Sequence, residues 1–413
     1  MRGNIARFVV DTHCHITTLY QPATEAGWEK VEQEEWTGLQ DELQPFDNSA
    51  LTLYDMERYG VDMAVLLPSI PGTLNETQAK LVKRFPDRFR ACCSDQRTIL
   101  NAVQGKKPWS FKAALQEVEE ALKTGWFVGV GEFGPGSSAR NLQLPGAEGP
   151  VSLEQRVEEW AALCELGVKY DVPILCHDQF TRPRKGDWTL TQLLAKISEA
   201  SPKAKIVQTH GCVEDERDRG MDAIRDMYTV VADLDNVYME TGGWSEKQFE
   251  IAFEVGVTAN RLMWGHDYGN VPQHIVRSNI EKWGPRPIEF DYRTTMSLMV
   301  FGYKDWPAVP TYQPDFYGWG LRIVDRVGDW LTQDEINLIL GGTAAKLYKL
   351  PVPHSRMFPE GRPDIFGEKA EESVPFIPRE QIQFPDPEGL RMSTKPCKRS
   401  PLPFTPSGAP TGE

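Results

Sequence analysis

The sequence predicts an α/β fold in which eight strand–helix units close into a (β/α)8 barrel of the TIM type. Eight short apolar runs recur along the chain, and most are followed by a segment with helical periodicity. Several runs are continuously apolar, which is typical of parallel strands buried on both faces. An open doubly wound sheet is the alternative, but no glycine-rich phosphate-binding loop follows the first run.

The eight apolar runs have the length of barrel strands, and parallel neighbours of this kind need helical crossovers between them. The predicted strands are Phe8–His15, Val61–Pro68, Phe89–Asp95, Trp126–Phe133, Val172–Asp178, Lys205–Gly211, Asn236–Thr241 and Arg261–Asp267. The helices predicted between them include Leu51–Tyr59, Glu76–Arg84, Phe111–Thr124, Leu153–Tyr170 and Thr189–Ala200.

Three regions exceed a plain barrel. Residues 17–50 follow the first predicted strand, and residues 268–325 follow the eighth and are dense in aromatic side chains. Both insertions start at strand C-termini, the side on which barrel enzymes carry their active sites. We therefore predict one barrel domain over residues 1–350. Residues 351–413 form a Pro-rich extension, and we expect its end, Ser393–Glu413, to be disordered.

Charge and composition limit the possible partners. The chain carries 59 Asp and Glu against 45 Lys and Arg, a formal charge of −14. An acidic surface repels phosphate backbones and anionic lipids, so we expect a small-molecule substrate rather than nucleic acid or membrane. The scattered cysteines without a CxxC pair, and an N-terminus that does not read as a secretory signal, favour a reduced, cytoplasmic protein. The aromatic insertion and the Pro-rich extension favour a homo-oligomer.

Histidines gather at the predicted strand C-termini. His13 and His15 lie two positions apart at the end of the first strand, so both side chains point to the same face. His177, His210 and His266 end the fifth, sixth and eighth strands, which places five of the seven histidines at strand tips. Barrel closure brings such tips within reach of one another, so the sequence predicts a metal site there.

The predicted ligand set is large enough for two ions. It combines imidazole with carboxylate, which suits Zn, Fe or Mn. Two bridged ions would lower the pKa of bound water and supply a hydroxide nucleophile at neutral pH, whose proton Asp267 would accept or orient. His210 is the alternative acid/base if only one ion binds. The six predicted metal ligands are His13, His15, Glu132, His177, His210 and Asp267.

The same residues resemble the amidohydrolase superfamily, in particular its amidohydrolase-related (ACMSD-like) branch. The resemblance covers most of residues 8–350 and includes the paired histidines, Gly60–Val65 and the closing run Leu340–Tyr348. It implies a TIM-type barrel with a metal at the strand tips. The family's recurrent ligands are matched by His13, His15, His177 and Asp267.

Two features depart from that branch. Gly131-Glu132-Phe-Gly resembles the Gly-Glu-Ile-Gly of the TatD-like branch, in which the Glu helps to hold two metals, so Glu132 favours a binuclear site. His266 stands where relatives more often have Ser or Thr, and it is either a ligand, a supporting residue or part of the core.

Other residues at the strand tips are predicted to support the site or to contact the substrate. Asp11 is expected to orient the first strand or a ligand histidine, and Asp178 and Glu240 are expected to be either supporting or structural. Arg182 either binds a substrate carboxylate or phosphate or is solvated. Trp264 and Tyr268 are expected to contact the substrate.

The leading functional hypothesis is hydrolysis of an amide, ester or lactone bond in a small organic substrate by metal-bound hydroxide. Decarboxylation of an aromatic or unsaturated acid at a single ion is the first alternative. A diiron oxygenase on the same barrel is the second, because His-rich sites with carboxylates also suit iron. A non-enzymatic metal-bound scaffold would have every coordination position filled by protein.

Overall fold

We describe the protein from a computed structural model. The description covers residues 8–20, 44–47, 49–68, 73–132, 134–141, 143–149, 151–177, 188–212, 221–242, 244–266, 321, 327 and 330–352. Most of the predicted insertions and nearly all of the predicted extension lie outside these ranges. The described residues belong to two compact units, one containing residues up to Cys14 and from Val61 onward, the other containing His15–Gly60.

Eight of the described strands form one parallel sheet in chain order, from the first strand to the last. The strands are β1 (Val10–Cys14), β2 (Thr17–Tyr20), β3 (Gln44–Asp47), β4 (Met63–Leu66), β5 (Phe89–Cys93), β6 (Phe127–Val130), β7 (Ile174–Cys176), β8 (Ile206–Gln208), β9 (Val237–Glu240) and β10 (Leu262–Met263). The sheet consists of β1 and β4–β10. Its two ends meet where Thr12 N donates to Trp264 O at 3.1 Å. This arrangement confirms the predicted (β/α)8 barrel of the TIM type.

The strands form where the sequence is continuously apolar. Every residue of β1, β4, β7 and β8 is buried, as expected for strands covered on both faces. One hydrophobic cluster joins Val10, Val65, Leu175 and Val207 from four strands to Tyr348 near the end of the described chain. The closing segment therefore belongs to the barrel core.

Helices alternate with the barrel strands, and all five helices named in the prediction are present within two residues at each end. The other six described helices, α3, α5 and α8–α11, were not among those named in the prediction. The helices are α1 (Ser49–Tyr59), α2 (Asn75–Arg84), α3 (Gln96–Val103), α4 (Phe111–Lys123), α5 (Ser137–Asn141), α6 (Leu153–Tyr170), α7 (Leu190–Ala200), α8 (Met221–Ala232), α9 (Glu246–Glu254), α10 (Gln333–Asn337) and α11 (Thr343–Leu347).

Side-chain caps explain several helix starts. Thr189 before α7 accepts a hydrogen bond from Gln192 N, and the Gln192 side chain accepts one in return from Thr189 N. Such reciprocal capping satisfies amide groups that the first turn of a helix leaves without partners. Among the described residues, no helix is both long enough and apolar enough to cross a membrane.

The second unit contributes a short hairpin and a helix to the description. Strands β2 and β3 pair antiparallel, with Thr17 opposite Asp47 and Tyr20 opposite Gln44. Helix α1 follows them in the chain. The hairpin lies within the predicted insertion 17–50, so this region contains regular structure that the sequence analysis did not specify.

A buried ion cluster fixes the segment that follows β6. Glu159 on α6 receives hydrogen bonds from Arg140 Nη1 at 2.8 Å and from Arg156 Nη1 at 2.6 Å. Arg156 also donates to Pro135 O at 2.9 Å and to Ser137 Oγ at 2.8 Å. The three charged residues are each at most 8 % exposed. One carboxylate thus anchors two arginines that hold the turn between β6 and α6.

Removing this carboxylate leaves two buried cations without their shared partner. We expect Glu159→Gln to lower the free energy of unfolding by about 3–5 kcal/mol, the usual cost of breaking a buried pair. Glu165→Gln, an exposed position on the same helix, should change it by less than about 1 kcal/mol. Urea unfolding of both variants measures the difference, and equal effects would show that the buried cluster does not stabilise the fold.

Candidate metal centre

The C-terminal end of β1 carries the first histidine pair. His13 and His15 are 0 % and 1 % exposed, so neither is a surface residue. Asp11 precedes them, and its Oδ1 accepts hydrogen bonds from His13 N and from His266 N, both at 3.0 Å. One carboxylate oxygen therefore joins the end of β1 to the segment that follows β10.

Glu132 lies at the centre of the histidines. It follows β6 and is 3 % exposed. Its Oε2 is 3.4 Å from His13 Nε2, whereas its Oε1 is 3.4 Å from His177 Nε2 and 3.6 Å from His210 Nε2. The two oxygens of one carboxylate thus face different imidazoles, one from β1 and two from the ends of β7 and β8.

These separations fit a metal coordination shell. They exceed the usual range of about 2.7–3.2 Å for a hydrogen bond between N–H and oxygen. Two ligand atoms that each lie about 2.1 Å from a tetrahedral zinc ion are roughly 3.4 Å apart. Three groups of possible ligands have donor atoms within 4.8 Å of one another: His13, His15 and Glu132; Glu132, His177 and His210; and His13, His210 and Glu240.

The charge of the carboxylates is set by the histidines. Burial opposes ionisation of Glu132, but neighbouring His13 and His177 hold its pKa well below its ordinary value. Burial likewise opposes ionisation of Glu240, while the hydrogen bond and positive charge of His13 lower its pKa. Both carboxylates are therefore acceptors with negative charge in a buried, polar site.

Glu240 ends β9 and contacts two of the histidines. Its Oε2 lies 3.0 Å from His13 Nδ1 and accepts a hydrogen bond from His210 N at 3.1 Å. The sequence analysis left Glu240 between a supporting and a structural role and did not include it among the site residues. Glu240 is the last residue of β9, the seventh strand of the barrel. This position could have marked it as a site residue, because the ends of five other barrel strands carry the predicted ligands.

An unusual backbone turn places His210. His210 has φ 56° and Gly211 has φ 52°, both in the left-handed region that favours glycine. Tyr228 Oη donates to Gly211 O at 2.9 Å, and the Tyr228 ring stacks on Trp244 with centroids 4.9 Å apart. A Cβ on Gly211 would lie 2.7 Å from Trp244 Cζ2. The turn therefore needs glycine at this position both for its conformation and for the close approach of the indole.

A protein-family model described as Amidohydrolase matches residues 10–350. The chain belongs to the amidohydrolase family. The amidohydrolase-related branch that the sequence resembles fits this result, and the chain is accordingly that of an amidohydrolase-superfamily enzyme. No curated protein gives a significant match to the sequence.

Solved structures similar to this amidohydrolase include enzymes of different activities. A 2,6-dihydroxybenzoate decarboxylase in complex with 2,6-dihydroxybenzoate is 14% identical, with 85% of this chain and 99% of that chain covered and a TM-score of 0.46. A dihydroxybenzoic acid decarboxylase from Polaromonas with bound manganese and 2-nitroresorcinol is 15% identical, with coverages of 85% and 98% and a TM-score of 0.46. A 4-oxalomesaconate hydratase from Rhodopseudomonas palustris is 18% identical, with coverages of 83% and 96% and a TM-score of 0.47.

Within the described part of this amidohydrolase, five of the six predicted ligands lie together: His13, His15, Glu132, His177 and His210. Their role as ligands stays a prediction. His266 is 1 % exposed, and its ring stacks on Trp264 with centroids 6.1 Å apart. Trp264 is 2 % exposed, and its role in substrate binding stays a prediction. The remaining predicted site residues lie outside the described residues: Asp178, Arg182, Asp267 and Tyr268.

Replacing Gly211 tests whether the turn behind His210 is as tight as the structure indicates. We expect Gly211→Ala to lower the free energy of unfolding by about 1–3 kcal/mol through overpacking against Trp244, in addition to backbone strain. Gly125 has φ 73° and no atom within 4 Å of a built Cβ, so Gly125→Ala should show only the strain of about 1–2 kcal/mol. Equal losses in urea unfolding would contradict the predicted overlap.

Proposed function

We propose that this amidohydrolase is a metal-dependent hydrolase that cleaves an amide, ester or lactone bond in a small organic substrate, and that it holds two divalent ions. The observation that carries the proposal is the position of Glu132 between two sets of imidazoles. Its Oε2 faces His13, and its Oε1 faces His177 and His210. A carboxylate that offers one oxygen to each set is suited to be a ligand common to two ions.

The described residues would divide into two ligand sets that share Glu132. His13, His15 and Glu132 would hold one ion, and Glu132, His177 and His210 would hold the other. Neutral imidazole and carboxylate suit Zn, Fe and Mn. Asp267, from the sequence alone, is proposed as a further ligand and as the group that accepts or orients the proton of the nucleophile.

Bound divalent ions would polarise the substrate carbonyl and make a hydroxide nucleophile available near neutral pH. The chain's own contribution is to hold the ligands in fixed positions and to keep water from competing with them. All five predicted ligands that the structure describes are at most 6 % exposed: His13, His15, Glu132, His177 and His210. In such a buried site the charge of Glu132 acts more strongly on its neighbours than it would in water.

Decarboxylation at one ion is the second candidate, and the position of His210 is the observation that favours it. His210 Nε2 lies 3.6 Å from Glu132 Oε1, slightly farther than the Nε2 atoms of His13 and His177 lie from Glu132. If His13, His15 and His177 hold a single ion, His210 would donate or accept the substrate's proton.

Metal analysis of the protein as isolated tests the proposal. We expect about two ions per chain, loss of hydrolase activity on a panel of small amides, esters and lactones after chelation, and recovery on adding Zn²⁺ or Mn²⁺. One ion per chain with turnover of aromatic acids would favour the decarboxylase. Iron with a visible absorption band would favour the oxygenase. Protein without stoichiometric metal, and indifferent to chelation, would refute all three.

Glu132→Gln distinguishes one ion from two. If Glu132 is the common ligand, the variant should bind fewer ions per chain and lose activity by at least about 100-fold, the upper end of the loss for residues that act through a ligand. Glu165→Gln on the exposed face of α6 is the matched control and should keep the metal content and activity of the wild type. Full activity in Glu132→Gln would support the single-ion decarboxylase instead.

A further inference from the structure

We propose that Glu240 is a positioning residue that fixes the tautomer and ring direction of His13 and the backbone turn at His210. The carboxylate comes from β9, between the strands that end in the predicted ligands. It would prearrange a ligand from β1 and another after β8 without binding metal itself. The proposal rests on the proposed metal-binding role of His13, although its structural part can be tested without metal.

Two main-chain amides, which can only donate, form hydrogen bonds with the Glu240 carboxylate. The amide N–H of His210 donates to Oε2, and the amide N–H of Gly242 donates to Oε1. A main-chain N–H has no acceptor function, so both carboxylate oxygens are acceptors. His13 Nδ1 lies 3.0 Å from the same Oε2. The ring nitrogen therefore donates as well, and its hydrogen is on Nδ1.

In the neutral ring, a hydrogen on Nδ1 leaves the lone pair of His13 on Nε2. That atom lies 3.4 Å from Glu132 Oε2, at the separation expected for two ligands of one ion. His13 is thus held between two carboxylates with different roles. Glu240 accepts from one ring nitrogen, while Glu132 faces the other. A carboxylate behind a ligating histidine fixes the ring and makes the free nitrogen more basic.

The surroundings of Glu240 prevent the carboxylate from turning away. Glu240 is 1 % exposed. A Cβ on Gly242 would lie 2.6 Å from Glu240 Oε1, and a Cβ on Gly265 would lie 2.7 Å from Glu240 Cδ. Two glycines from neighbouring segments therefore leave space for the carboxylate in this one place. A side chain at either position would push it away from His13.

The same contacts argue against Glu240 as a metal ligand. His13, His210 and Glu240 do form one of the groups whose donor atoms lie within 4.8 Å. However, amide hydrogens point at both oxygens of Glu240, and an ion would have to displace them or share the oxygens with them. Glu132, in contrast, faces three imidazole Nε2 atoms. Glu240 is thus suited to orient ligands and Glu132 to bind.

Nuclear magnetic resonance of the ring nitrogens tests the structural part on the wild-type protein. The chain has seven histidines, so selective ¹⁵N-histidine labelling gives few signals, and the loss of one signal in His13→Gln assigns His13. We expect a hydrogen on Nδ1 of His13 in metal-free protein, with or without a second one on Nε2, and the Nδ1–H tautomer in Zn²⁺-loaded protein. An Nε2–H tautomer would overturn the proposal whether or not the protein binds metal.

Glu240→Gln tests the functional part, since an amide cannot accept at both oxygens. Competition with a chelator should show Zn²⁺ binding weakened about 10–100-fold, with the far-ultraviolet circular dichroism of the wild type. Glu254→Gln makes the same chemical change at a side chain that is 51% exposed and paired with Arg225, and should bind Zn²⁺ within about twofold of wild type. Gly265→Ala displaces the carboxylate without removing its charge and should weaken binding in the same direction.

The outcomes separate this proposal from the proposed function. If the wild type binds no metal, the proposed hydrolase is refuted, and the His13 tautomer alone decides the positioning role. If the wild type binds Zn²⁺ and Glu240→Gln binds it equally well, the positioning role is refuted and the hydrolase stands. If Glu240→Gln does not fold, Gly265→Ala and the wild-type tautomer decide the question.

Discussion

The closure of the strand ring is the constraint on which the candidate site depends. His13 and Glu240 are 227 residues apart in the chain, yet their side chains meet at 3.0 Å. Closure of the sheet brings the end of the first strand close to the strands near the end of the barrel. Trp264 O accepts from both the backbone N and the hydroxyl of Thr12 at this junction. Asp11 reinforces it, because one oxygen binds the amides of His13 and His266.

The two buried carboxylates at the ends of the barrel strands favour the binding of a cation between them and the histidines. Glu132 and Glu240 are buried carboxylates, and burying a charge without compensation is costly. Their close partners among the described residues include imidazoles and main-chain amides. Those partners offset the burial enough to keep the pKa of each carboxylate below its ordinary value. A divalent ion bound to these imidazoles would supply positive charge in place of their protons. The same buried arrangement that opposes ionisation thus favours metal binding.

The sequence predicted the fold and the gathering of ligands but not their mutual geometry. Apolar runs, several of them continuous, located all eight barrel strands, and the histidines at their ends indicated the face on which the candidate site lies. Periodicity specifies which face of a strand a side chain occupies, not which distant residue it meets. It could not show that Glu240 stands behind His13, nor that His210 adopts a left-handed backbone. These features depend on contacts across the ring and on glycines that admit them.

The geometry of His210 bears on the choice between ligand and acid/base. Its ring lies between those of His13 and His177, with centroids 4.5 Å and 4.9 Å away. Its Nε2 faces the same oxygen of Glu132 as His177 Nε2 does. Nitrogens that converge on one point are arranged to share an ion, whereas a proton-transfer group must face the substrate. The turn held by Tyr228 and Glu240 fixes this direction. The arrangement therefore supports the proposed role of His210 as a ligand.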